Sequence, residues 1–142
     1  MAIRDKNCSD NNSYNAFAQV VITVPFADYG AAFTNSVVGG VRMPWPGKIL
    51  SAAHQASAVP ALSGSTLLQV AKNGTVISDQ STATTSITSF TLSVSTFTTG
   101  DVLGLVQHNA NVTTVRGQGV VSIVVRPYLG VQERVAASLG EL

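Results

Sequence analysis

The chain has 142 residues, of which only 15 are charged, 11% against roughly 25% in an average soluble domain, and its net charge is +1. Forty-four Ser, Thr, Asn and Gln side chains do the solvating instead, and the eight basic residues are dispersed from Arg4 to Arg134. That dispersal provides no clustered basic stripe for polyphosphate or for an anionic bilayer surface, so neither nucleic acid nor membrane is an expected partner.

The length suits one domain with a substantial core. Cys8 is the single cysteine, so an internal disulfide is excluded and no zinc knuckle is available. No window reaches the ~18 apolar residues of a membrane span, and the polar start MAIRDKNCSDNNSYN lacks the apolar stretch of a secretion signal.

Residues 1–16 are rich in Asn and charge and poor in bulky apolar side chains, the composition of a flexible N-terminal arm. A β-sandwich domain is expected over residues 17–128. Its first strand is Phe17 to Val24, rich in β-branched residues and ended by Pro25. Val37 to Met43 reads as a short strand interrupted by glycines, and Pro44-Trp45-Pro46-Gly47 as a rigid turn that holds Trp45 in a bend. Lys48 to Ala56 reads as a strand with helix as the competing assignment, because of its alanines.

Thr66–Lys72 and Thr75–Ser78 flank Asn73-Gly74, the dipeptide that supplies both positive-φ residues of a type I′ hairpin. Phe90, Leu92 and Val94 alternate with Thr91, Ser93 and Ser95, the period of a strand with one buried face. Val102 to His108 reads as a strand buried on both faces. Val120 to Val125, introduced by Gly117-x-Gly119 and stopped by Pro127, reads as a central strand covered on both sides, with the glycines marking a twist or bulge. About eight strands with no amphipathic helix between them specify an all-β antiparallel sandwich or barrel. Residues 129–142 form a short C-terminal tail in which Val131, Val135 and Leu139 recur at i, i+4 and i+8, so a helix is possible there.

The titratable inventory is too thin for catalysis. His54 and His108 fall on different expected strands without metal-binding spacing, and Asp79 and Asp101 sit where turn residues bond local backbone N–H groups. There is no GxSxG, P-loop or dinucleotide fingerprint. No enzyme activity, catalytic residue, metal or cofactor is therefore expected, which leaves binding. Trp45, the only tryptophan, is either a core plug or an exposed contact.

The succession of Pro46-Gly47 before a strand, Lys72-Asn73-Gly74-Thr75, a Thr/Ser-rich strand, Thr99-Gly100-Asp101 and a closing Gly-x-Gly plus Val/Ile strand resembles the small sandwich proteins of tailed-bacteriophage virions. Capsid decoration, or cement, proteins are the group it is most similar to. The resemblance covers about residues 37–126. It implies a jelly-roll sandwich, often a homotrimer, that sits on the exterior of the virion and clamps neighbouring copies of the major capsid protein, after synthesis in the host cytoplasm. Under that reading the contact residues are Ile3, Arg4 and Tyr14 in the arm, Trp45 in the turn, and Val131, Arg134, Val135 and Leu139 in the tail. The alternative is a glycan- or receptor-recognition module on a phage fibre or tail, with Trp45 as its platform.

Overall fold

β-Branched and aromatic residues in period-two alternation drive this chain into pleated sheets, where each strand buries one face. The computed structural model describes residues 19–26, 33–58, 65–110 and 118–128. Among these lie ten strands and no helix: β1 (Val20–Phe26), β2 (Phe33–Arg42), β3 (Gly47–Ala58), β4 (Ser65–Lys72), β5 (Thr75–Val76), β6 (Ser81–Thr82), β7 (Thr88–Ser89), β8 (Thr96–Phe97), β9 (Val102–Ala110) and β10 (Gln118–Pro127).

They form two antiparallel five-stranded sheets packed as a sandwich. One has the order β1-β10-β3-β7, with β8 also on β3, and the other β2-β9-β4-β5, with β6 also on β4. The pairing is nested: β1 with β10, β2 with β9, β3 with β7 and β8, β4 with β5 and β6, successive pairs lying in alternate sheets. Between the sheets, Ile22, Val24 and Phe26 of β1, Ile49, Ala52 and Ala56 of β3, and Val121, Ile123 and Val125 of β10 pack with Leu68 and Val70 of β4 and Leu103 and Leu105 of β9 in one core. Each of the larger buried side chains contributes about 1.5–3 kcal/mol.

One end of the sandwich is knotted together by its loops. Asn73 and Gly74 take φ of 53° and 79°, the type I′ geometry expected of the hairpin. Asn73 Oδ1 accepts the Val102 N–H at 2.8 Å while its Nδ2 donates to Asp101 Oδ1 at 2.8 Å. Met43 N–H donates to Asp101 O and Gly100 N–H to Met43 O, each at 2.7 Å, so three turns share one hydrogen-bond network.

Several expectations need adjusting. The first strand runs through Pro25 to Phe26, since an edge strand tolerates a missing donor. The glycine-broken strand is ten residues long because β2 absorbs its irregularities in register shifts between Phe33 and Ser36 and between Val37 and Gly39. Lys48 to Ala56 is strand, within β3. Phe90, Leu92 and Val94 do pack inward, but the backbone between β7 and β8 forms no ladder: it makes single bonds to either sheet and the isolated bridge Ser78 to Leu92. β10 is central, with the expected irregularity between Gln118 and Gly119, yet only its inner face is fully buried: on the other, Ser122 and Val124 are half-buried and Val120 is 39% exposed. β9 is the strand buried on both faces: Leu103 and Leu105 face the core, and Val106, on the opposite face, is buried as well.

Candidate interaction surface

Register decides what the outer face of the first sheet presents. Inward residues alternate with outward ones along β1, β10 and β3, which aligns three outward rows: Val21, Val124 and Ser51; Thr23, Ser122 and Ala53; Pro25, Val120 and Gln55. None of these nine side chains is charged. Val21 is 59% exposed, and Leu50, at the β3 irregularity, and Ile87, just before β7, add further exposed apolar area. Surface apolar residues scattered singly need no explanation, but a sheet face without a charge among nine neighbouring positions is a surface suited to contact.

Among the described residues the charges lie elsewhere. The described residues carry six, namely Arg42, Lys48, Lys72, Asp79, Asp101 and Arg126. All but Asp79 lie at the end of the sandwich that carries the Trp45 turn and the Asn73 hairpin. Lys48 and Arg126 stand opposite each other in register, next to the last uncharged row. Lys72 Nζ donates to Thr96 O at 3.1 Å and so links the two sheets at that end. Asp101 accepts the Thr98 N–H at 2.9 Å, and this bond, with that from Asn73, holds its carboxyl below the usual range. Asp79 accepts the Thr91 N–H at 2.9 Å. Asp101 is the turn-stabilising residue that its sequence context indicates, whereas Asp79 bonds no local turn and instead ties its segment to the main chain twelve residues on.

The opposite end carries an open groove of about 530 Å³ lined by Phe26, Gln55, Ala56, Ser57, Gln118, Gly119 and Val120. Among the described residues its lining contains no titratable side chain, so those residues offer neither a general base nor a nucleophile activated by one. The nearest approach to a catalytic pair is His54 Nε2, 2.7 Å from Ser81 Oγ. His54 is 1% exposed, stacks at a tilt on Phe90 and leaves Nδ1 without a partner among the described residues. Burial lowers its pKa. A sealed imidazole with no carboxylate to orient it is a strut between the two sheets: His54 belongs to β3 and Ser81 to β6.

No protein-family model, curated protein or solved structure matches the chain. Function therefore has to be read from the surface itself. Of the contact residues expected from sequence, Ile3, Arg4, Tyr14, Val131, Arg134, Val135 and Leu139 lie outside the described residues, as do the arm and tail assigned to 1–16 and 129–142. Trp45 is half-buried and packs against the core from the charged end, so much of its area supports the fold. Among the described residues, no three His, Cys, Asp or Glu side chains gather in a metal-binding group. The uncharged sheet face was not found by sequence reasoning. The signal that could have found it is the surplus of valines in β10, apolar at positions of both parities although only one face needs them.

Proposed function

We propose that this protein is a structural virion component, a jelly-roll decoration or cement protein that lies on the outside of a phage head and ties neighbouring copies of the major capsid protein together. The observation that carries the reading is the segregation of charge among the described residues, which leaves the outer face of the β1-β10-β3 sheet an uncharged field of Val, Thr, Ser, Ala, Pro and Gln. A clamp acts through extended contact area, and an uncharged face can be laid on another protein without stranding a buried ion. The nested strand pairing supports the finer jelly-roll reading, because a long antiparallel hairpin wound into two sheets gives that order. Copies arrayed on a lattice turn modest individual contacts into strong retention, since each clamp engages two shell subunits at once.

Co-sedimentation with purified phage heads lacking the protein tests this. The wild-type chain should pellet with the heads. Removal of residues 1–15 or 131–142, or Val120→Lys on the uncharged face, should reduce pelleting at least tenfold while circular dichroism still reports the β fold. Heads that do not retain the wild type, or that retain all three variants equally, would sink the clamp.

A further inference from the structure

Two sheets have four edges, and each unpaired edge invites another strand. Three of the four are blunted here. β2 is broken by two register shifts, and the far edges consist of the two-residue strands β5, β6, β7 and β8. β1 is different. It is seven residues long, VVITVPF, pairs with β10 in unbroken register from Val20 opposite Val125 to Phe26 opposite Gly119, and carries no charge. Among the described residues nothing pairs with its other edge. Of the usual means of discouraging edge pairing it has one proline, Pro25, but no lysine, inward charge or bulge.

We propose that β1 pairs edge to edge with β1 of a second copy of this chain, antiparallel about Thr23, joining the two β1-β10-β3 sheets into one continuous sheet. The strand is self-complementary in that register. Val20 meets Phe26, Val21 meets Pro25, and Ile22 meets Val24, each pair sharing a parity. Core-facing Ile22, Val24 and Phe26 thus remain on the core side, and Val21, Thr23 and Pro25 remain on the outer face, as a buried-face sheet requires.

The single proline fits the same register. A proline inside a strand has its donorless nitrogen toward the free edge, so residues of its parity, Val21 and Thr23, direct their N–H and C=O groups outward. The two Thr23 residues exchange a pair of bonds, and each Val21 N–H reaches the C=O of Pro25 on the second copy, giving about four main-chain hydrogen bonds. No charge opposes another across the junction, and the uncharged outer faces of the two copies merge. This arrangement is two-fold, unlike the three-fold assembly that the resemblance implies, and it does not depend on what the face binds.

Sedimentation velocity of the full chain alone, from about 1 to about 200 μM, tests the proposal. A concentration-dependent species of twice the 14.7 kDa chain mass is expected. Thr23→Lys, at an exposed position, sets like charges opposite each other and should weaken the dimer at least tenfold without moving the melting temperature. Val21→Lys with Pro25→Lys should also give monomer, whereas Val21→Glu with Pro25→Lys should restore the dimer, because only the Thr23-centred register brings those positions together. If Thr23→Lys does not fold, the two double variants decide. A chain that stays monomeric throughout, a dimer or trimer indifferent to Thr23→Lys, or double variants that behave alike would each overturn the assignment.

Discussion

Gly104 is the most confined glycine of the second sheet, and replacing it by alanine tests how closely β2 lies on β9. A Cβ there would stand 2.3 Å from Gly39 O and 3.1 Å from Gly40 Cα, both backbone atoms that no side-chain rotation can clear. Restoring ordinary contact requires β2 to withdraw by about 1 Å, which stretches the flanking ladder bonds beyond hydrogen-bonding range. Loss of about two such bonds at ~1 kcal/mol each, added to about 1–3 kcal/mol of overpacking, gives a cost of about 3–5 kcal/mol. At this chain length that corresponds to a fall in melting temperature of about 10–17 °C. Thermal and urea unfolding followed by circular dichroism measure it. Gly74→Ala is the control, because a Cβ there meets nothing within 4 Å and only its φ of 79° resists, at about 1 kcal/mol. If Gly104→Ala melts no lower than Gly74→Ala, the close approach of β2 and β9 is wrong.

Two further outcomes follow from the interior and the knotted end. Because burial lowers the His54 pKa, the unfolded chain takes up a proton near pH 6.5 that the folded chain refuses. This residue therefore makes stability decline as pH falls from about 7.5 until the folded-state pKa is passed; His54→Gln should flatten the decline in urea melts between about pH 7.5 and 5, and equal slopes would remove the assignment. Asn73→Ala should cost about 2 kcal/mol, from two lost hydrogen bonds and a left-handed backbone, and Asn73→Gly, which relieves only the backbone, should cost less; reversal of that order in thermal melts would contradict the network.

The features that were legible in the sequence are those encoded locally. Asn73-Gly74 can be read because two adjacent residues carry the whole signal, and Asp101 because its partner Thr98 is three residues away. Phe90, Leu92 and Val94 show where such reading stops. Their alternation reports which side chains are buried, whereas the main chain around them bonds in turn to both sheets: Phe90 N–H to Ala52 O, Ser93 N–H to Ile77 O, and Ile49 N–H to Ser95 O. Period-two burial without a ladder closes the side of the sandwich and is indistinguishable from a strand in one dimension. The uncharged face was hidden for a different reason: Val21, Val124 and Ser51 become neighbours only through register, and register is a long-range property.

The nested pairing also bears on how the chain finds its fold. Val20 lies opposite Val125, a contact that would be entropically remote if it had to form first. The innermost pair, β4 with β5, needs only a two-residue turn, and it brings the flanking strands toward one another. Each later pair then closes a gap spanned by connections already shortened by its predecessor, so the outermost ladder forms at a small fraction of its nominal loop-closure entropy. A topology dominated by distant partners can thus be assembled as a zipper that starts at Asn73-Gly74 and runs outward, with β1 the last strand to be seated and the first to be released.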